Sequence, residues 1–370
     1  MHYESFKIPH RMKSFLGMDL NRKEKEDLSS LGWKEKRFLH FSSLEFEGHV
    51  FMTPADFLQS LVQHEPLMRC QKRKLTLEDV KEIQESTPNT QDTDDTLFRG
   101  LGNQGLISFT DYLILLGFLF KPTHSFSIWF NMLDLDSSGA IQMNEFKALK
   151  SVFRSSRSQE EMADIVNYGL DDIPEIKTTL QLLLYGNRED SDLLSSKFYK
   201  FLHNLHTEVL KMEFEEFAKG SSTISEFDFA RILLRHTFYD EEELVEVLDT
   251  IQGCLQCNGG FTFEEFEDFH FVSSYLLDFQ AMMNILHTSG RTLKKEEFQR
   301  LSYACSDRQL SPHMLEVVFQ MFNRGEGLVD IWKLEMVVKN WLRRGTTHTD
   351  LSYWPRFKQC MHREMRTWLR

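Results

Sequence analysis

The chain has 370 residues, 41% of them hydrophobic, which allows two or three domains with cores of their own and excludes a disordered chain. A formal charge of −13 argues against nucleic acid as a main partner, because phosphate recognition needs a net basic face, and it suits cation binding. Five cysteines, Cys70, Cys254, Cys257, Cys305 and Cys360, are too few and too dispersed for a disulfide framework.

Residues 1 to 37 mix Lys and Arg with Glu4, Asp19, Glu24, Glu26, Asp27 and Glu35, unlike an acid-poor transit peptide or a signal sequence, so any address label is expected to be absent or removed. A hairpin is expected near residues 40 to 53, with strand content elsewhere limited to short bridges between loops. Residues 81 to 97 replace apolar periodicity with Glu, Gln, Ser, Thr, Pro, Asn and Asp and read as an exposed loop or linker. The longest apolar run, Tyr112 to Phe120, is far short of the roughly 20 residues that cross a bilayer. Polar breaks follow at 154 to 161 and at 219 to 223.

Residues 134 to 145 place oxygen ligands at the spacing of an EF-hand calcium loop. Asp134 occupies position 1, Asp136 position 3 and Ser138 position 5. Ala140 offers its carbonyl at position 7, Gln142 sits at the water-linked position 9, and Glu145 closes position 12 bidentately. Gly139 supplies the sharp turn at position 6. Phe126, Trp129, Phe130 and Leu133 recur at helical spacing before the loop, and Phe146, Leu149, Val152 and Phe153 do so after it. Ser138 stands where Asp or Asn is usual, leaving three carboxylates, and a sensor-range affinity of about 10⁻⁷ to 10⁻⁵ M is expected. The plainer alternative is a vestigial loop that keeps only its fold.

The half-motif of this loop, an apolar residue followed four places on by an acid and then an aromatic, recurs along the chain. Met52 leads to Asp56 and Phe57, Ile107 to Asp111 and Tyr112, Ile224 to Asp228 and Phe229, Phe261 to Glu265 and Phe266, and Leu293 to Glu297 and Phe298. Leu193 leads to Lys197 and Phe198, and Ile331 more loosely to Glu335 and Met336. Position 8 of one EF loop bridges to position 8 of its partner, so a hand without metal still keeps its geometry. Most echoes lack ligands: Gly186 and Arg188, Phe217 and Lys219, Cys254 and Gln256, and Leu286 and Thr288 fall where position 1 and position 3 ligands belong. The run from Phe322 to Leu328 starts like a loop, but Leu334 falls at its twelfth place. Thirty-two Phe against nine Tyr fits an aromatic lock repeated on either side of such loops, or simply a Phe-rich core.

Residues 350 to 370 place Trp354, Phe357, Met361, Met365 and Trp368 along one helical face with Arg and Lys over the remainder. This basic amphipathic helix either meets a partner or packs on the chain's own C-terminal lobe. Enzymatic signatures do not hold up: His203 and His206 lack the Glu and spacing of a zincin, and Cys254 with Cys257 has neither a second pair nor a βαβ context. The sixteen Met read as core filling, with a calcium-exposed groove as the alternative.

Phe51 to Leu58, Gly105 to Leu113, the Phe130 to Phe146 hand, Val209 to Phe214 and Val317 to Phe322 resemble the mitochondrial calcium uptake (MICU) family in order and spacing, over about residues 38 to 370. Phe41 to Gly48 resembles the family's second and third branches more than its founding member. The resemblance implies a mainly α protein of tandem EF-hand helix-loop-helix lobes with an N-terminal domain and a C-terminal helix. The expected units are 1–97, the N-lobe 98–218 with loop 134–145, the degenerate C-lobe 219–345, and the helix 346–370. It further implies a calcium (Ca2+) sensor of the intermembrane space, peripheral to the inner membrane, that gates the uniporter channel complex and forms a homo- or hetero-dimer with a paralogue, with Cys360 as the corresponding cysteine. Two other readings stay open: an architectural scaffold or dimer partner, and a calcium buffer or adaptor outside mitochondria.

Overall fold

A computed structural model describes residues 31–63, 66, 72–87, 97–120, 125–155, 168–173, 176–186, 192–235, 237, 259–275, 294–322 and 331–343. Helix α1 (Trp33–Phe41) leads into a hairpin of β1 (Leu44–Phe46) and β2 (His49–Phe51), with Leu44 opposite Phe51 and Phe46 opposite His49. This is the hairpin expected near residues 40 to 53. Its two-residue turn has positive φ at both Glu47 and Gly48, the combination that matches strand twist. Helix α2 (Pro54–Val62) follows, with Thr53 accepting from the Asp56 amide and Pro54 in the first turn, where a missing N–H costs nothing. Strand β3 (Arg73–Lys74) then adds to β1 in parallel.

The polar stretch expected to be a loop from residue 81 begins instead as the last turns of α3 (Leu77–Ser86). A capping box between Thr76 and Asp79 starts that helix, and Val80 and Ile83 pack it on Leu44, Phe46 and Leu75 in a small core. Two apolar residues sufficed, hidden in a run of Glu and Gln. Next come α4 (Phe98–Leu101), α5 (Phe109–Leu119), α6 (Phe126–Leu133), β4 (Ala140–Ile141) and α7 (Met143–Ser155). After them lie α8 (Thr179–Tyr185), β5 (Leu193–Leu194), α9 (Ser195–Ala218), β6 (Thr223–Ile224), α10 (Glu226–Leu234), β7 (Phe261–Thr262), α11 (Phe263–Ser274), α12 (Lys295–Ser306), α13 (Pro312–Met321) and α14 (Ile331–Leu342).

In six of the eight half-motifs the apolar opening residue is the residue that pairs. Met52 and Ile107 exchange two backbone hydrogen bonds of 3.0 and 2.9 Å, Ile141 lies opposite Leu193, and Ile224 lies opposite Phe261. All six are buried. The hands therefore couple in sequence order, and the chain is a mainly helical array of paired EF-hand units. The acid has its own structural reason, because the twelfth loop residue is the third residue of the exit helix. Asp56, Asp111, Glu145, Glu265 and Glu297 each accept from the backbone N–H at the helix N-cap. A carboxylate is thus retained for capping where calcium ligands have gone.

Two large cores result. One gathers side chains from Phe38 to Val209 and the other from Leu210 to Trp341. The 24-residue α9 belongs to both: Phe198, Phe201, Leu202, Leu205 and Val209 face the first, and Leu210, Phe214 and Ala218 the second. Phenylalanine edges tie each core together, as in Phe118–Phe198 at 5.5 Å and Phe229–Phe261 at 5.0 Å between ring centroids. Fully buried Trp341 packs on Phe266 and Phe269 and donates its indole N–H to Glu213 at 3.0 Å. Among the described residues no helix is long and apolar enough to cross a membrane.

Candidate metal centre

Helix α6 stops at Leu133 because Asp134 leaves helical backbone, with ψ of 82°. The chain then turns twice through left-handed conformations, at Ser137 with φ of 55° and at Gly139 with φ of 81°. Glycine suits the second turn because a β-carbon there would be strained whatever the free space. Backbone amides fix the acids: the Ser138 and Gly139 N–H groups donate to Asp134 at 2.9 Å each, and Ser138 N–H also donates to Asp136 at 3.0 Å. Glu145 accepts from Leu135 N–H at 2.6 Å and, through its other oxygen, from Gln142 N–H at 2.8 Å, so it spans the whole loop.

These restraints bring one carboxylate oxygen from each of Asp134, Asp136 and Glu145 within 4.8 Å of one another. Calcium–oxygen bonds of about 2.3–2.6 Å put ligands on opposite sides of an ion about 5 Å apart, so the cluster has the size of one coordination sphere. Gln142 turns its side chain inward and donates to Asp136 at 2.8 Å, and the Ser138 hydroxyl donates to the Ala140 carbonyl at 2.9 Å. All six residues picked out by spacing therefore line one loop. The hydroxyl and amide of Ser138 hold the Asp136 carboxyl below its usual range, which keeps it charged at neutral pH. An all-oxygen donor set with three carboxylates fits a hard divalent cation.

The loop 217–228 is built differently. Helix α9 runs through Phe217 and Ala218, so positions 1 and 2 are helical, and the left-handed turn falls at Lys219 and Gly220. Gly186 and Lys197 bracket a loop whose middle, 187–191, lies outside the described residues, as do Cys254 to Asn258, the Asn323 loop, the 346–370 helix with Cys360, and Cys70. His203 is exposed, whereas His206 is buried against Phe126 and His270, a packing role.

Two residues behind the loop escaped the sequence reading. Tyr185 packs on Phe146 at 5.6 Å and donates to the Gln142 carbonyl at 3.4 Å; burial, then the charges of Glu145 and Asp192, push its phenol up. Lys150, five residues after Glu145, places Nζ 2.7 Å from Asp111 on α5. Its helical phase with Phe146 was visible in the sequence, but its partner is 39 residues away.

A scan against protein-family models finds no match. The chain is 30% identical over 385 residues to calcium uptake protein 3, mitochondrial, of Mus musculus, covering 90% of this chain and 73% of that protein. Among solved structures, EFHA2 in its calcium-binding state superposes with a TM-score of 0.73 at 33% identity, covering 81% of this chain and 96% of that one. The apo structure of the mitochondrial calcium uniporter protein MICU2 superposes with a TM-score of 0.72 at 29% identity, covering 92% and 98%. Sequence identity over nine-tenths of the chain, together with the same paired-hand fold, makes this chain a member of the mitochondrial calcium uptake protein family.

Proposed function

We propose that the chain is a calcium-sensing regulatory subunit that gates mitochondrial calcium uptake through the uniporter channel, with Asp134, Asp136, Ser138, Ala140, Gln142 and Glu145 as its calcium ligands. The observation that carries the reading is the convergence of three carboxylate oxygens inside a complete EF loop. Bound calcium would supply the positive charge that offsets three crowded carboxylates. The chain's part is to aim those oxygens through the amides of Leu135, Ser138, Gly139 and Gln142. Because Glu145 is the third residue of the loop's exit helix, any change in its bonding acts directly on α7.

Family membership and the names of the relatives support a mitochondrial setting. Residence in the intermembrane space against the inner membrane, dimerisation with a second copy or a paralogue, and a cross-link through Cys360 belong to the same proposal. The hands that pair without ligands favour a second reading, an architectural partner whose one loop is constitutively filled. Calorimetric titration of calcium against millimolar magnesium, with Glu145→Gln as control, separates them. The sensor reading expects calcium binding and a conformational response in the wild type, and in the variant much weaker binding and no response at the same calcium concentration. Unchanged binding in Glu145→Gln would sink it, and binding without a response favours the scaffold. Affinity capture from inner-membrane extracts with and without chelator tests the channel partner.

A further inference from the structure

We infer that the buried ion pair between Lys150 and Asp111 is the joint that couples the exit helix of the metal loop to the first pair of hands; this rests on loop 134–145 being the calcium site. Lys150 is a positioning residue in that scheme, without contact to the ligand oxygens.

Asp111 is fully buried and the Lys150 side chain is 11% exposed, with Nζ to Oδ1 at 2.7 Å. A lysine placed this deep gives up hydration that only a close opposite charge offsets, so its position is fixed more sharply than that of an apolar side chain. One turn before it on α7, Phe146 follows the ligand Glu145 directly, and the Lys150 ammonium lies 5.7 Å from the centre of its ring. On the other side, the second oxygen of Asp111 accepts from the N–H of Ser108, the neighbour of Ile107. Ile107 in turn exchanges both backbone hydrogen bonds with Met52 in the partner hand. The path from Glu145 through Phe146, Lys150, Asp111, Ser108 and Ile107 to Met52 is contiguous.

One flank of α7 is loosely packed, while Phe146 on the same helix is buried in the main core. A cavity of about 320 Å³ separates Lys147, Lys150 and Ser151 of α7 from Phe51, Ile176 and Thr178. Across an incompletely filled gap, an apolar contact slides with little change in energy. A close, desolvated charge pair resists separation, so rotation of α7 must either carry Asp111 with it or weaken the pair. A joint of that kind biases a two-state element from the loop's side, which is the physical requirement for coupling.

The test is a double-mutant cycle on the full chain with Lys150→Met and Asp111→Asn, the latter keeping an acceptor for the Ser108 amide. Calcium affinity is read by calorimetry, and amide exchange at Met52 and Ile107 is read with and without calcium. Each single variant should shift affinity by about 3- to 20-fold, with the double no worse than either. The calcium-dependent change in exchange at Met52 and Ile107 should be lost, and in calcium-free protein those amides should exchange faster in Lys150→Met. If a single variant misfolds, the charge-free double variant carries the same exchange comparison. Wild-type protein that binds calcium while the variants keep its exchange response, or that binds with no change at these amides, overturns the joint alone. Wild-type protein that binds no calcium overturns the sensor reading and the joint with it.

Discussion

The loop that ends at Glu145 and the loop that ends at Asp228 share their second halves and differ in their first. In both, an apolar residue, Ile141 or Ile224, pairs with a partner loop, and an acid three places into the exit helix stands at the helix start. In the first loop α6 ends before Asp134, and the left-handed turns at Ser137 and Gly139 fold three acids together. In the other, α9 continues through the first two positions, and the turn comes at Lys219 and Gly220. Pairing and capping are thus stored in positions 8 to 12, and the clustered carboxylates in positions 1, 3 and 12. A hand loses calcium without losing its fold because the two sets of residues barely overlap, meeting at position 12.

The largest effect is expected at that overlap. Glu145→Gln should lower calcium affinity on the order of 100-fold, because charge count moves EF-hand affinity over several decades. Asp228→Asn in the other loop should leave affinity untouched, and calorimetry on the two variants measures the contrast directly. Grafting Asp at 217, 219 and 221 should not create a second site, since helix occupies the first two positions; a new calcium isotherm would break the comparison.

The second core gives the next test. Trp341→Ala should cost about 3–5 kcal/mol, by emptying a buried aromatic site and taking the indole donor from Glu213. Denaturant unfolding measures that loss, and an unchanged calcium isotherm is expected below the transition. A collapse in affinity would mean that the two cores are less separable than their loops.

Glu208 sharpens the comparison by pH. It accepts from the Phe98 and Arg99 amides, and burial pushes its carboxyl up to about 7 from 4.5. The folded state therefore keeps a proton that the unfolded chain has released. The contribution is fully present below about 4.5 and is lost as pH rises through about 7, up to about 3 kcal/mol in all. Glu208→Gln should flatten stability across that window in a pH series of melts, and an unaltered slope would refute it. The smallest effect, about 1 kcal/mol, is expected for Ser225→Ala, which removes the side-chain acceptor at the start of α10 in the metal-free loop.

What the sequence made legible follows the range of each interaction. The half-motif was readable because bridge residue, cap and aromatic lie within six positions, and the candidate ligands of loop 134–145 because they lie within twelve. A capping box at Thr76 and Asp79 was equally local, yet the polar run after it masked α3, whose stripe is only Val80 and Ile83. Strand β3 carries no apolar signal at all, since Arg73 and Lys74 are exposed and only their backbone pairs with β1. Lys150 and Asp111 were each visible, but nothing local says that they meet. Helix α9 was least legible, because the Lys197 echo drew the eye to its first turn while its length decides its role.

That helix has a mechanical consequence. At 24 residues it is about 36 Å long, and Val209 and Leu210, consecutive residues, face different cores. A fragment ending at Ala218 would expose Leu210 and Phe214 to water, and one beginning after it would lack a wall of its own interior. Heating should therefore melt both halves as one cooperative unit with a single endotherm, and the half around the second core would take its thermal endurance partly from the half that contains loop 134–145.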